Sequence, residues 1–347
     1  NELYSAFGHS ALRVKDPQQR LDLVFNYGTF DFDQPNFYLN FARGNLLYQL
    51  SVSNWQRFIY TYQIEGRYVK EQVLDLDSAQ AQAYFDFLVQ NAQEGNREYL
   101  YDYFYDNCAT RIRDGLEQSL PKAEIEFSGE PHFQPPLSIR QLCDEYLLYQ
   151  PWGDMGIDIC LGLPMDKVAD QQIEMFLPDL LAEAFSDAQI REGGQLRPLV
   201  REERELLAQT SVPEKPVWQP FLAFGALLVL VVLFTVFAYN RIKAIRYLDA
   251  LLYLISGLFG IFLLALWLLT DHKAAAWNFN LLIFLPSNVL VIGALLKGNL
   301  KSWQRVYFKY QPYYYALLLA LWLFLPQQLS LAFMPWVAVF ILRSWHI

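Results

Sequence analysis

Cysteine and histidine are scarce in this chain, with three of one and four of the other, so each can be weighed as a reacting group. Cys108 stands within YDYFYDNCATRIRDG, residues 101–115. Tyr101, Tyr103 and Tyr105 alternate as a half-buried strand would, and from Cys108 onward the apolar spacing becomes helical. Cys108 is therefore expected where a strand hands over to a helix, with Asp106 or Asn107 as the N-cap. The unpaired N–H groups and positive dipole end of a first helical turn favour a thiolate over a thiol. The competing reading is that Cys108 is a small buried apolar residue. A base within reach decides between the two, because a thiol nucleophile needs one.

His9, in FGHSALRV, is the preferred partner: Phe7, His9 and Ala11 fall on one face of an expected strand, and Gly8 and Ser10 allow close backbone approach. Taken alone, a strand histidine is as readily a satisfied core residue. His132 lies in a Pro-rich loop and His346 in the tail, while His272 stays open as an alternative base. Asn26 is the choice for the group that orients the imidazole, with Asp22 competing. The oxyanion is expected at the Cys108 backbone N–H, helped by Asn107 or a neighbouring side chain. Arg111 and Arg113 are candidates for a lipid phosphate or, equally, for ion pairs. Neither His9, Cys108 nor His272 has the spacing of a metal ligand, and no cofactor motif is present.

The elements that must carry these residues divide into two parts. From Trp218 onward there are nine Lys or Arg and two acids, so this part carries about +7 and the part before it about −16. An acidic front part without a basic patch argues against nucleic acid as partner. Residues 221–238, 250–269 and 274–296 lack any charge and approach the length needed to cross a bilayer; residues 310–342 are interrupted at Pro326-Gln327-Gln328 and read as two shorter spans. The expected spans are 219–239, 248–270, 276–296, 311–326 and 329–345, with Trp218, Trp267, Trp277, Trp322 and Trp345 near their ends. Alternating spans put eight basic residues on one side and only Lys273 on the other, which places the front part outside the cytoplasm. Export without an opening signal peptide leads us to expect that residues precede Asn1.

The expected layout is thus an exported catalytic domain over residues 1–212, a Pro-rich tether over 213–220 and a membrane domain over 221–347. Four β-like runs open the front domain; a helix is expected from Ser78 to Asn91, another near 138–149, a loop at QPWGDMGIDICLGLP and a longer helix near 170–188. Of the cysteines, Cys143 and Cys160 are a possible pair that leaves Cys108 as the thiol. Asp271, His272, Asn278 and Asn280 cluster at the outer end of the second and third spans and are candidates to hold a headgroup or an acceptor, unless they only line a wet loop.

A histidine that precedes a cysteine at a helix start, with the dipeptide Asn107-Cys108, resembles the permuted NlpC/P60-type thiol fold found in lecithin:retinol acyltransferase. The runs YSAFGHSALRV, FNYGTFDF, YDNCATRIRD, PWGDMGIDICLG and TDHKAAAWNFNLLIFLPSN resemble Lnb-type lipoprotein N-acyltransferases over nearly the whole chain. The resemblance implies an α+β permuted papain-like domain on the periplasmic face, joined to an all-α polytopic domain of about five transmembrane helices in a bacterial inner membrane. It also implies transfer of an acyl chain from a phospholipid to the α-amine of a diacylglyceryl-cysteine lipoprotein, with the family's cysteine and histidine falling on Cys108 and His9. Three readings compete: a phospholipase or a cell-wall amidase on the same dyad, or a non-enzymatic membrane assembly protein.

Overall fold

In the computed structural model, the described residues are 3–120, 122–210, 214, 216 and 219–347; most of the expected tether, Trp218 included, lies outside them. The chain forms two compact units, one of Asn1–Leu142 with Val168–Glu214, the other of Cys143–Lys167 with Lys215–Ile347. Residues 143–167, expected in the front domain, thus belong to the second unit.

The first unit is mixed α/β. Its strands are β1 (Leu12–Asp16), β2 (Leu21–Thr29), β3 (Leu47–Asn54), β4 (Val69–Leu74), β5 (Glu98–Leu100), β6 (Glu124–Glu126), β7 (Gln189–Glu192), β8 (Gln195–Pro198) and β9 (Val200–Leu207). They form an antiparallel sheet in the order β1-β2-β3-β5, a β4-β9 pair and a β6-β7-β8 sheet. Helix Cys108–Ser119 packs on β2, helix Ser78–Asn91 and helix Pro178–Asp187. Phe25, Tyr27, Leu50, Tyr84, Leu88, Ile112, Leu116 and Leu181 make up much of the core between them.

Several local expectations change here. His9 is not in a strand: Leu3–Phe7 is a 3-10 turn, Gly8 turns the chain at φ +76, and β1 begins only at Leu12. Pairing in β5 stops at Leu100, because Asp102 and Asp106 close a tight loop across Tyr103–Tyr105 and the Asp102 carboxylate accepts the N–H groups of Phe104 and Tyr105. Pro178 divides the expected 170–188 helix into Gln171–Glu174 and Pro178–Asp187. The β7-β8 hairpin turns on Gly193 and Gly194, both at positive φ, a two-glycine signal for a tight hairpin.

The second unit is helical. Two of its helices, Pro220–Phe237 and Ile242–Leu269, are long and apolar enough to cross a membrane. The third expected span is not one helix but the pair Lys273–Leu282 and Pro286–Lys297, bent by 50°, which raises the number of candidate spans to three if it counts as one. Residues expected as the fourth and fifth spans form helix Ser302–Leu321, whose first half carries Arg305 and Lys309, and a shorter apolar helix. Five spans are therefore not what length and composition give among the described residues.

The break in the third segment has a steric and a polar cause. A Cβ on Gly260 would meet the Phe284 carbonyl oxygen at 2.1 Å, and one on Gly257 would meet the Val289 backbone nitrogen at 2.8 Å, so irregular backbone lies directly on the small-residue face of helix Ile242–Leu269. Carbonyls freed at the bend are not left bare: Tyr314 donates to Leu282 O and Tyr315 to Ile283 O. Asn288 accepts from Tyr307 and Gln311 and donates to Ser256, all inside the unit. Arg343 makes a two-pronged bond to Asp249 and a third to Thr235, which joins three helices.

The stretch expected as a loop at 150–164 contains helix Pro151–Cys160, with Pro151 at its first turn, where a missing N–H costs nothing. Its C-terminal carbonyls are capped by two asparagine side chains far along the chain: Asn278 donates to Ile159 O and Cys160 O, and Asn280 donates to Asp158 O. A Cβ on Gly162 would lie 2.0 Å from Ala276 O, and the buried Gln327 donates to Leu161 O while accepting from the Phe279 N–H. Replacing Gly260 by Val should therefore destabilise the protein by about 1–3 kcal/mol through overpacking. Gly225→Val, at a helical glycine with open space around it, serves as the control; equal thermal midpoints for the two variants in detergent would refute the close backbone approach.

Candidate active site

Strand β2 does most of the positioning. It is paired in register with β3 as far as Asn26↔Ser51, then carries one extra residue before Thr29↔Gln49. A bulge of this kind re-aims side chains and tightens the local twist. Within it Gly28 adopts φ +83, and a Cβ there would meet the Tyr101 ring at 3.2 Å and Cys108 Cβ at 3.5 Å. Only glycine lets the strand approach the Cys108 helix this closely.

On the other side, Asn107 fixes the start of that helix. Its Oδ1 accepts the N–H groups of Ala109 and Thr110, and its Nδ2 donates to Tyr103 O and Phe176 O. Thr110 completes the capping box by accepting the Asn107 N–H. Every hydrogen-bonding position of the Asn107 side chain is thereby used, which removes it as a substrate or oxyanion donor. Cys108 is the first helical residue and is buried.

His9 and Cys108 are brought together across this junction. The His9 ring is hydrogen-bonded to the Cys108 sulfur, and its Nε2 lies 2.5 Å from Asn26 Oδ1. Asn26 thus takes the Nε2 proton and leaves Nδ1 for the sulfur. Asp22, the competing third group, is held instead by a two-pronged bond from Arg13 at 2.7 and 2.8 Å. Two further groups reach the sulfur, the Ser10 backbone N–H and the Tyr101 hydroxyl. The Cys108 N–H points to that same hydroxyl.

Electrostatics follow from these contacts. Burial by itself would hold the Cys108 thiol protonated, but the His9 charge and hydrogen bond, the Ser10 N–H and Tyr101 outweigh it and lower the thiol pKa. Burial likewise disfavours an imidazolium, yet the neighbouring sulfur and the bonds to Cys108 and Asn26 raise the His9 pKa, with Arg67 opposing. Both shifts favour a thiolate–imidazolium pair.

Tyr101 is the site residue that strand reasoning missed. It leaves the β5 ladder, stacks on Tyr48 with centroids 4.3 Å apart, and burial pushes its hydroxyl pKa up, so the proton stays on oxygen. The row of rings continues from Tyr48 to Phe30 at 5.3 Å and from Phe30 to Phe32 at 5.0 Å, and Phe32 is 68% exposed. An alternation of tyrosines next to a cysteine was the available signal; it was spent on a strand assignment.

The remaining candidates fall elsewhere. Arg111 makes a two-pronged ion pair with Asp106 and lies 3.4 Å above the Tyr99 ring, and Arg113 bonds Asp114 and Gln172 O. Neither is open to a phosphate. Asn278 and Asn280 cap helix Pro151–Cys160, as described, and Asp271 and His272 follow helix Ile242–Leu269 in the second unit. No disulfide joins Cys143 and Cys160. Asp144, Asp154 and Asp158 bring oxygens within 4.8 Å of one another, but each has protein partners.

Comparison with known proteins agrees with this two-part architecture. Residues 1–145 match the Lnb N-terminal periplasmic domain and residues 212–347 match the Lnb transmembrane domain. No curated protein and no solved structure gives a significant match. With both of its parts matched, the chain belongs to the Lnb family and has the architecture of an Lnb-type lipoprotein N-acyltransferase, a periplasmic N-terminal domain followed by a transmembrane domain.

Proposed function

We propose that the protein is a lipoprotein N-acyltransferase of the bacterial inner membrane that works through a thioester on Cys108. The observation that carries this reading is the line from buried Cys108 through half-buried His9 to half-buried Asn26 at a capped helix start. We read the first unit accordingly as a permuted papain-like domain, with its histidine before its cysteine in the chain.

The cycle needs no group beyond these. The Cys108 thiolate attacks a phospholipid ester carbonyl; the ester C–O bond breaks, and the departing lysolipid alkoxide takes the proton from the His9 imidazolium. The product is a thioester beside a neutral imidazole. The α-amine of a diacylglyceryl-cysteine lipoprotein then attacks the thioester, gives its proton to His9 and expels the thiolate as the amide forms. Thiolate and imidazolium are both restored. Negative charge on the carbonyl oxygen in each half is met by the Cys108 N–H and the Tyr101 hydroxyl, which already meet each other beside the sulfur. Asn26 keeps the ring turned by accepting the Nε2 proton.

A lipid donor is favoured over a cell-wall peptide by the apolar ring row from Phe32 to Tyr101, which offers an acyl chain a surface up to the sulfur. The candidate spans of the second unit add a membrane where donor and acceptor both reside.

Incubation with phospholipid alone should add one acyl mass to the intact protein, removable by hydroxylamine, and a diacylglyceryl-cysteine peptide should discharge it into an N-acyl product. Cys108→Ser should show neither step. Lysolipid and free fatty acid without transfer to the peptide would instead establish a phospholipase. Tyr101→Phe keeps the ring stack and loses the O–H, so acylation should slow roughly a hundredfold or more; an unchanged rate would exclude it as an oxyanion donor. Alkylation of Cys108 by iodoacetamide should persist below the ordinary thiol range, about pH 8.5, because the thiolate outlasts the fall in pH until its lowered pKa is passed. In His9→Ala the midpoint should move up, and a midpoint equal to the wild type would dissolve the ion pair.

A further inference from the structure

The first unit has a cavity of about 230 Å³ beside Asn26, on the far side of the imidazole from the sulfur. Its walls come from Ser53 on β3 and from helix Trp55–Glu65, whose Arg57 and Thr61 are one turn apart and share a face. Arg67 joins them because Gly66 ends the helix at φ +66 and reverses the chain; a Cβ on Gly66 would lie 2.6 Å from Thr210 Oγ1. The Arg67 guanidinium then rests 4.8 Å from the Tyr62 ring centre.

Two guanidiniums and one carboxylate, that of Glu65, line this space, which leaves it net positive. Among the described residues the ion-pair contact of Arg67 is a long one, 3.4 Å to Glu65, whose side chain is about half exposed. Arg57 is exposed and has no ion-pair partner among the described residues. The field of Arg67 reaches His9 and works against its imidazolium. A cation kept next to a ring that must itself carry positive charge makes sense if an anion is to sit between them.

We propose that this cavity holds the phosphate diester of the acyl donor, with Arg57 and Arg67 as its ligands and Ser53 as hydroxyl donor, the Thr61 hydroxyl being given to Arg57 O. The proposal rests on the transferase reading above and names the part of the donor that Arg111 and Arg113, being ion-paired, cannot hold. It agrees with the covalent structure of a glycerophospholipid, in which the phosphorus lies a few bonds from the ester carbonyl. Between the cavity and the sulfur stand the Asn26 amide, which lines the cavity, and the His9 imidazole bonded to it. Arginine suits such an anion because its planar fork binds two oxygens at once.

The test compares two donors with the same acyl chains, dioleoylphosphatidylglycerol and dioleoylglycerol, on the full chain in detergent micelles, and reads the initial rate of acyl-Cys108 formation by intact mass. Wild-type protein should prefer the phosphate-bearing donor by about tenfold or more. Arg57→Gln should raise the KM for the phospholipid by about tenfold, and the Arg57→Gln/Arg67→Gln pair should abolish the preference, with Arg57→Lys restoring part of it. Inorganic phosphate should compete with the phospholipid and do nothing for dioleoylglycerol. If it accelerates acylation by dioleoylglycerol in the wild type, the cavity takes free phosphate and the headgroup assignment falls. Equal acylation by both donors in the wild type overturns the phosphate site and leaves the thioester mechanism standing. No acyl-enzyme with either donor overturns both.

Discussion

The contact between a buried sulfur and a half-buried imidazole sets the terms for the whole first unit. Burying an ion pair is expensive unless further hydrogen bonds satisfy it, and here the fold supplies them from four directions. Ser10 brings a backbone N–H, Tyr101 a hydroxyl, Asn26 an acceptor for the opposite ring nitrogen, and the first turn of helix Cys108–Ser119 its positive end. Each depends on a backbone feature elsewhere. Gly8 turns the chain ahead of His9, the β2 bulge at Asn26–Thr29 sets Asn26, and Gly28 clears the space that Tyr101 and Cys108 share.

The second unit solves a different problem with similar means. A chain that bends by 50° between Lys273–Leu282 and Pro286–Lys297 frees backbone groups that helix formation would have satisfied. Tyrosine hydroxyls from helix Ser302–Leu321 and the Asn288 network supply the missing partners, and Gly257 and Gly260 let the bent backbone lie flat on its neighbour. Asn278 and Asn280 serve in the same way. Their place at a membrane boundary suggests ligands, yet their amide N–H groups are consumed by the carbonyl end of helix Pro151–Cys160.

What could be read in advance depended on how local the cause was. The hydropathy of 221–238 and 250–269, the 78–91 helix and the helix start at Cys108 are short-range patterns and appear much as expected, although Asp77, not Ser78, caps the first of those helices. Helix Pro151–Cys160 was illegible because its two glycines and leading proline read as a loop, while its C-terminal carbonyls are capped by Asn278 and Asn280, more than a hundred residues away. The third span misled for the opposite reason: 23 uncharged residues satisfy a length rule that takes no account of Pro286 and the tyrosines waiting at the bend. Asn26 and Asp22 were indistinguishable until Arg13 was seen to hold Asp22.

In the proposed cycle the same donors around Cys108 have two successive tasks, and the order of those tasks matches the geometry. Before acylation the negative charge is on sulfur, and the Ser10 N–H and the Tyr101 hydroxyl reduce the cost of keeping it there. During the proposed attack that charge moves two bonds, from sulfur across the carbonyl carbon to its oxygen, a displacement small enough for a hydroxyl to follow by rotation. Tyr101 is held by Tyr48 stacking and by the Gly28 clearance, so its oxygen stays between the sulfur and the Cys108 N–H throughout. A donor set fixed in advance costs no reorganisation when the charge arrives. Asparagine at position 107 could not have served, because its four hydrogen bonds are what hold the helix start in place. Structure and chemistry are thus divided between neighbours, with the cap taken by Asn107 and the moving charge left to Tyr101.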